Sequence, residues 1–503
     1  MILPLLPNSV AVNLRRIFPS ASFVGCGDIR ASAATDDSVD CRPGVLFAAI
    51  RGHRSDGHQF ITQALENGAA ALLVERPQAG ASVPQCIVPN SRRAYAELCA
   101  AIKGDPSKHL GIAGVTGTNG KTTITWLIRA ILRSAGRQTG VLGTIEYSDG
   151  TRTARSTLTT PDPEDLAAWL GTMVRRRTTH AAMELSSHAL EQDRAAGIQL
   201  DVAILSNITQ DHFDYHQNFE SYRASKLRIF DRLKRGGLAV VNVDDAGSGS
   251  CRDSVCGNCI TYGLDRPADV TARILEESLA GSQFQLRMNG CRADVQTRLV
   301  GRHNVSNCLA AAAAASHLGI PLDQIARGIE TLAMVPGRLE AVECGQPYSI
   351  LVDYAHTPDA LRRCITGLRQ LTAGRVICVF GAGGDRDRLK RPLLGQAAAG
   401  ADMAVLTSDN PRTEDPWQIM QDVLTGLPAN ARQPHIESDR VEAIQWALSQ
   451  AQPGDCVLVA GKGHETEQIY GTERRHFDDR EVVREAFFST SLRRRGARRE
   501  VRV

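Results

Sequence analysis

Gly114-Val-Thr-Gly-Thr-Asn-Gly-Lys-Thr-Thr123 is the stretch whose reading decides the fold. Residues 110–115 form a short apolar run of the kind buried strands show, and residues 124–134 carry a helical pattern. The decapeptide is therefore a strand–turn–helix junction. Glycines at such a junction let backbone N–H groups converge on an anion at the positive end of a helix. A lysine beside the last glycine adds a charge for β- and γ-phosphates, and the hydroxyl after it suits Mg²⁺. Gly117, Thr118, Asn119, Gly120, Lys121, Thr122 and Thr123 are thus the expected nucleotide-binding residues. The spacing is not a strict G-x-x-x-x-G-K-[ST], because Val115 stands five before Gly120 and the glycines fall at 114, 117 and 120. An ordinary strand–helix turn explains glycines; it does not explain Lys-Thr-Thr following Asn-Gly.

Working outward, the same alternation recurs. Apolar runs at 202–205, 238–243, 350–352, 376–380, 403–406 and 456–459 are each followed by turn-forming residues and then a helical stretch. That pattern predicts α/β architecture with mostly parallel sheets. In such sheets ligands sit beyond the carboxyl ends of the strands. The chain has 503 residues, which at ~150 per domain predicts about three domains. Turn-rich segments at Gly104-Asp-Pro-Ser107 and Met334-Val-Pro-Gly-Arg338 place the expected domains at 1–107, 108–336 and 337–503.

Composition removes several function classes. Lys+Arg number 58 against 55 Asp+Glu, a net charge of +3, so no basic nucleic-acid footprint is present. The Arg-rich end, residues 493–503, reads as a solvated, frayed terminus rather than a polyanion-binding arm. The longest apolar run, 308–315, falls far short of the ~20 residues a membrane span needs. The N-terminal Met1-Ile-Leu-Pro-Leu-Leu-Pro7 lacks a basic region and a long apolar run, so no secretory signal is expected. The 13 cysteines are odd in number and scattered through apolar stretches, as reduced core residues in a cytoplasmic protein would be. Cys251-x4-Cys256-Gly-Asn-Cys259 lacks a fourth ligand and a second CxxC, so no metal or redox site is expected there.

The phosphate loop resembles that of the Mur ligase family, cytoplasmic enzymes that add amino acids to the muramic-acid peptide of cell-wall precursors. Further motifs follow in that family's order: Thr159-Thr-Pro161, Met183-Glu-Leu-Ser-Ser-His-Ala-Leu190, Asn207-Ile-Thr-Gln-Asp-His-Phe-Asp-Tyr-His216, Tyr222-Arg-Ala-Ser-Lys226, Gly301-Arg-His-Asn-Val-Ser-Asn307, Val352-Asp-Tyr-Ala-His-Thr-Pro358, Gly381-Ala-Gly-Gly-Asp-Arg-Asp387, Asp409-Asn-Pro-Arg412 and Gly461-Lys-Gly-His-Glu465. The resemblance spans essentially the whole chain and is weakest before residue 100. It implies a small α/β N-terminal domain that binds the UDP-substrate, a central P-loop ATPase-type parallel sheet and a C-terminal Rossmann-like domain that binds the amino acid. It also implies ATP and Mg²⁺ as cofactors, small-molecule substrates only, no nucleic acid, no membrane, and a monomer.

The resemblance carries over residue by residue. It makes Lys121, Glu184, Lys226 and His212 catalytic, with Thr122, Glu184, His212 and a carbamylated Lys226 as Mg²⁺ ligands. Read without it, Glu184 is a carboxylate at a helix start, His212 a loop histidine and Lys226 a solvent-facing lysine. The ATP base and ribose are assigned to Asn304, Arg338, Asp353, Tyr354 and His356, although Asn304 also reads as the N-cap of a helix over 304–317. The UDP end falls to Asp36, Ser38, His53, Arg54 and Ser55, and the muramoyl-peptide end to Thr159, Thr160, Ser186, Gln192 and Arg194. One departure stands out: Val39 follows Ser38 where the family usually has arginine.

Asp409, Asn410, Pro411 and Arg412 resemble the tetrapeptide of family members that add meso-2,6-diaminopimelate, with Arg386, Gly461 and Glu465 completing the pocket. Arg386 and Arg412 suit carboxylates, while the Gly461 carbonyl and Glu465 suit an ammonium. Diaminopimelate differs from lysine by a distal carboxylate, and arginine grips carboxylates through two parallel hydrogen bonds. Alone, Asn-Pro also starts plain turns. The alternatives are a lysine-adding version of the same enzyme, a folylpolyglutamate synthetase-type ligase, and a P-loop kinase or switch with no amine pocket. Because the phosphate loop and the amine motifs lie in different expected domains, closure of the third over the second about a hinge at 334–338 is also expected.

Overall fold

The computed structural model describes residues 11–52, 55–209, 216, 218–252, 255 and 257–487. His53, Arg54, His212, Cys256 and the Arg-rich end at 493–503 lie outside the described residues. The chain divides into two compact units, Met1–Ile208 with Arg223–Val270 and Ala310–Gly328, and Thr209–Tyr222 with Thr271–Leu309 and Ile329–Val503. The architecture is α/β with parallel-rich sheets, as the alternating pattern predicts.

The first unit holds two sheets. The N-terminal one has five strands in the order Ser22–Val24, Gln85–Ile87, Ala71–Val74, Leu46–Ala48, Ala34–Thr35. All its pairings are parallel except that of Ser22–Val24 with Gln85–Ile87. Alternate residues of each strand point to opposite faces. Leu46, Ala48, Leu73 and Cys86 therefore pack on Tyr95, Leu98 and Ile102 of helix Ser91–Ile102, while Phe47, Leu72 and Val74 pack on Ile61 and Ala64.

The central sheet of this unit runs Thr153–Arg155, Glu146–Ser148, Thr139–Leu142, His180–Glu184, Gly111–Thr116, Leu200–Leu205, Leu233–Asn242, Asn258–Gly263. From Thr139–Leu142 onward every pairing is parallel. Strands buried on both faces need helices on each side. Ile112, Leu142 and Met183 meet Leu166, Leu170 and Met173 of helix Pro163–Arg175. Helix Lys121–Ser134 buries Ile124, Leu127, Ile128 and Ile131 completely.

The second unit carries the antiparallel hairpin Gly281–Met288 with Cys291–Thr297. Its main sheet has six strands in the order Glu340–Ala341, Ser349–Asp353, Cys456–Ala460, Val376–Phe380, Met403–Leu406, His435–Ile436. Only the first pair is antiparallel. Helices Pro358–Leu371, Lys390–Ala398 and Pro416–Leu424 cover one face, and helix Arg440–Gln450 the other. Among the described residues no helix is long and apolar enough to cross a membrane.

Two local expectations change. The helix expected over 304–317 starts two residues earlier, at Arg302, so Asn304 lies inside its first turn and is not the N-cap. The helix expected over 222–230 is Phe219–Leu227, followed by a single tight turn at Phe230–Arg232.

Candidate active site

The expected nucleotide loop leaves strand Gly111–Thr116 and enters helix Lys121–Ser134. It is sewn to the end of the neighbouring strand Leu200–Leu205. Thr118 N–H donates to the Asn207 carbonyl and Asn119 N–H to Asn207 Oδ1, both at 2.9 Å. Ser206 Oγ and Asn207 Nδ2 both donate to the Asn119 carbonyl, at 2.6 and 3.1 Å. Gly117 is required by that closeness: at φ +150° a side chain there would meet Ser206 Oγ at 1.9 Å. Lys121 Nζ bends back to the Gly117 and Thr118 carbonyls, at 2.8 and 2.9 Å. Its charge is thereby held over the loop just after Gly120, with Thr122 and Thr123 buried behind it.

Glu184 ends strand His180–Glu184, next to the phosphate strand in the sheet. Its carboxylate is 1% exposed. Oε2 accepts from Thr122 Oγ1 at 3.1 Å and from Thr144 Oγ1 at 2.9 Å, and Oε1 accepts from Thr144 N–H at 2.8 Å. Thr144 also reaches Thr159 Oγ1 at 3.2 Å. A carboxylate and a hydroxyl are hard oxygen donors, the chemistry Mg²⁺ takes, so Glu184 and Thr122 fit that ion. Among the described residues no group of three or more His, Cys, Asp or Glu is gathered for a metal. Lys226 is 2% exposed, which corrects the solvent-facing reading of this lysine.

The peptide-end candidates surround Glu184. Thr160 Oγ1 donates to the Glu184 carbonyl at 2.9 Å and accepts from Ser186 N–H at 3.0 Å. Ser186 caps helix Ser187–Glu191, its Oγ accepting from Ala189 N–H. Gln192 Oε1 accepts from Arg194 Nε and Nη2 at 3.0 and 2.8 Å, and Arg194 Nη1 reaches the Thr160 carbonyl at 3.3 Å. The UDP-end candidates are looser. Asp36 is exposed, Ser38 is buried with Oγ on Gln63 Oε1 at 2.8 Å, and the Ser55 carbonyl accepts from Gly52 N–H. Val39, which replaces the usual arginine, is 68% exposed.

In the second unit, the ends of four parallel strands and the loops after them carry most of the remaining candidates, with Arg338 just before Glu340–Ala341 and Asn304 in helix Arg302–His317. After Ser349–Asp353, Asp353 accepts from Leu339 N–H at 2.7 Å and Ala355 N–H at 2.8 Å. Burial raises its carboxyl above the usual range, and the Arg338 charge opposes that. Arg338 lies 4.6 Å over the Tyr354 ring, which tilts against His356 at 4.6 Å. Asn304 donates to the Val300 carbonyl at 2.8 Å and accepts from Asn307 Nδ2 at 3.0 Å.

The amine-pocket candidates converge from three of these loops. After Met403–Leu406, Asn410 Nδ2 donates to Glu465 Oε2 at 2.9 Å. Arg412 Nη1 donates to the Gly384 carbonyl at 2.6 Å. Burial, and next the nearby Arg386 charge, lower the pKa of Arg412, so two guanidinium groups lie close together here. The Pro411 carbonyl caps Glu414 N–H at 3.2 Å. Asp409 Oδ2 is buried without a hydrogen-bond partner among the described residues, against Gly461. Guanidinium groups and carboxylate oxygens thus lie within electrostatic reach of one another, with Arg386, Asp409 and Glu465 all acting on Arg412.

Three residues in these contacts, Thr144, Ser206 and Asn207, were given no role by the sequence reading, and neither was Lys462, which the structure buries completely. Asn207 and Lys462 lie inside the family-like motifs, Lys462 one residue beyond the wholly buried strand Cys456–Ala460 and between Gly461 and Gly463. That flank was the available signal for Lys462.

Three stretches match Mur ligase descriptions: residues 34–103 the "Mur ligase family, catalytic domain", 115–315 the "Mur ligase middle domain", and 337–463 the "Mur ligase, glutamate ligase domain". The UDP-N-acetylmuramoyl-L-alanyl-D-glutamate–2,6-diaminopimelate ligase of Geobacillus thermodenitrificans is 45% identical over 457 residues, covering 90% of this chain and 93% of that one. A solved structure of a ligase with that same name superposes with a TM-score of 0.68 at 35% identity, over 96% of this chain and 100% of the other. The MurF ligase of Thermotoga maritima, solved with ADP, shares the fold at a TM-score of 0.60 and 20% identity, over 91% and 96% of the two chains.

Proposed function

The chain belongs to the Mur ligase family, and we propose that it uses ATP to join meso-2,6-diaminopimelate to UDP-N-acetylmuramoyl-L-alanyl-D-glutamate in peptidoglycan precursor synthesis. The observation that carries the choice of amino acid is the pocket around Asp409–Arg412. Arg412, braced on Gly384 and near Arg386, faces a region bordered by Asp409 and Glu465. Two cations and two carboxylates complement a zwitterion with an extra carboxylate. The named relatives support the same reading.

The chemistry proceeds in two displacements. An oxygen of the substrate carboxylate attacks the γ-phosphorus of ATP, the bond to the β-phosphate breaks, and ADP leaves an acyl phosphate. The amine nitrogen then attacks the acyl carbon, phosphate departs, and the nitrogen loses a proton. Lys121 and the N–H groups of residues 117–123 hold the polyphosphate and offset its repulsion of the approaching carboxylate. Thr122 and Glu184, joined by His212 and by Lys226 as a carbamate, would hold Mg²⁺, which supplies further charge neutralisation. Burial of Lys226 favours a role inside the site over a surface one. Thr159, Thr160, Ser186, Gln192 and Arg194 hold the muramoyl-peptide end, and Asp36, Ser38, His53, Arg54 and Ser55 the UDP end. Asn304, Arg338, Asp353, Tyr354 and His356 hold the base and ribose of ATP.

In this reading residues 1–107 bind the nucleotide sugar, 108–336 bind ATP and 337–503 bind the amino acid. The protein works as a cytoplasmic monomer, where its nucleotide substrates are made. The test is ADP release from ATP with UDP-N-acetylmuramoyl-L-alanyl-D-glutamate, comparing diaminopimelate, lysine and no amine. Release dependent on diaminopimelate supports the proposal. Equal turnover of lysine overturns the specificity, and activity on pteroyl-glutamate in place of the muramoyl substrate overturns the substrate class.

A further inference from the structure

The wholly buried lysine of Gly461-Lys-Gly-His-Glu465 takes no part in the reaction just described. We propose that Lys462 is a positioning residue of the amine pocket, which orients the Glu465 carboxylate and the Asn410 amide toward the incoming amino acid. The inference rests on the ligase reading and adds a residue to it.

Lys462 is 0% exposed. Its Nζ lies 3.1 Å from Asn410 Oδ1 and 3.2 Å from Glu465 Oε2, with the Phe477 ring centroid at 5.9 Å. It therefore bridges the loop of residues 409–412 and that of residues 461–465. Asn410 Oδ1 also accepts from Ile469 N–H at 3.1 Å. With two donors on its oxygen, the Asn410 amide has one orientation, and Nδ2 is turned to Glu465 Oε2 at 2.9 Å. Glu465 Oε2 thus receives two donors, one of them charged. Oε1 has no protein donor among the described residues, so it is the oxygen left for a ligand ammonium.

An ammonium taken out of water is retained only where its partners compensate it. Here those partners are two residues of the amine pocket. Without the charge, Glu465 keeps only the Asn410 bond, and the Asn410 amide loses one of the two donors that hold its orientation. The damage falls on recognition of the amine and leaves the phosphate loop untouched.

The experiment uses the full-length enzyme and Lys462→Met, which keeps an unbranched side chain one atom shorter and removes the charge. Loss of a charge-assisted hydrogen bond predicts a ~10- to 100-fold higher KM for diaminopimelate. The KM for ATP stays at the wild-type value and kcat falls less than about threefold. A double-mutant cycle with Glu465→Gln separates positioning from a general loss of stability, because effects routed through one group are not additive. In the Glu465→Gln background, Lys462→Met should raise the KM by less than about threefold. Lys462→Gln, which keeps a donor, serves if the methionine variant does not fold. An unchanged KM for diaminopimelate in a folded variant, or full additivity with Glu465→Gln, overturns the proposal. Failure of the ligase reading looks different: the wild-type enzyme would then release ADP without any dependence on diaminopimelate.

Discussion

Arg412→Lys tests the amino-acid specificity at a single side chain. Arg412 sits at φ +55°, and its Nη1 donates to the Gly384 carbonyl at 2.6 Å. That bond fixes the guanidinium plane and leaves Nη2 and Nε for a carboxylate. A lysine at the same backbone angle pays the same local strain, so the backbone term cancels. Its single ammonium cannot brace on Gly384 and also offer two parallel donors. Hydrogen bonds to charged groups contribute ~1.5–3 kcal/mol each, and ~1.4 kcal/mol is a factor of ten. Losing one of two predicts a KM for diaminopimelate ~10- to 100-fold higher. The positive charge is retained, so long-range attraction and the repulsion from Arg386 change little. Lysine lacks the distal carboxylate, so its turnover should hold steady and the preference for diaminopimelate should narrow by the same factor. Initial rates of ADP release at saturating ATP and nucleotide substrate, with each amine varied, measure both quantities. A KM for diaminopimelate within about threefold of wild type, with selectivity intact, would refute the carboxylate-gripping role of Arg412.

Gly117→Ala should clash with Ser206 Oγ, 1.9 Å from the new methyl. Overpacking of ~1–3 kcal/mol then weakens ADP binding ~10- to 100-fold by titration calorimetry, and an unchanged affinity would contradict the close packing. The hydrogen bond from Arg391 Nη2, at 2.7 Å, is the main cause that holds the Glu414 carboxyl down at about 2, below the ordinary 4.5. Its stabilisation is complete above about pH 4.5 and disappears as pH falls toward 2. Glu414→Gln should therefore lower the urea midpoint at neutral pH and flatten its acid limb in that window, and an acid limb as steep as wild type would count against the assignment. Lys226→Ala should abolish ligation, with partial rescue by short carboxylic acids standing in for the carbamate; full activity without rescue would remove Lys226 from the site.

Legibility in the sequence followed locality. The strand–turn–helix junction at residues 111–134 was readable because its three parts are consecutive, and the structure moves the strand by one residue to Gly111–Thr116. The C-terminal loops were readable because each follows a strand with an uninterrupted apolar run, such as 350–352 within Ser349–Asp353. Thr144, Ser206 and Asn207 were not, since their importance comes from sheet order: Thr139–Leu142 and Leu200–Leu205 lie near the phosphate strand only after folding. Burial of Lys226 was hidden for a related reason. Helix Phe219–Leu227 is short and mixed in composition, so nothing in its period marks which face is covered. At Asn304, capping chemistry suggested a start that the helix overruns, and the amide bonds back to Val300 instead. The N-terminal sheet was the least visible part, because strands as short as Ala34–Thr35 carry too few residues for a period to register.

The residues assigned to ATP and those assigned to the amine share one backbone framework in the second unit. Gly461 N–H donates to the Asp353 carbonyl at 3.0 Å, while the Asp353 carboxylate holds Leu339 and Ala355. Tyr354 N–H donates to the Gly337 carbonyl at 2.9 Å. Gly337, at φ +64°, packs so closely that a side chain on it would meet His464 N at 2.1 Å. The Tyr354 ring then lies between Arg338, His356 and His464, at 4.6, 4.6 and 5.0 Å. Packed segments of this kind do not deform one at a time. A nucleotide that orders Arg338 and Tyr354 therefore also orders His464, the residue before Glu465. Under the ligase reading, this makes amine recognition sensitive to nucleotide occupancy through contacts inside a single unit, and it gives a physical reason for the two motifs to be carried on adjacent strands, Ser349–Asp353 and Cys456–Ala460.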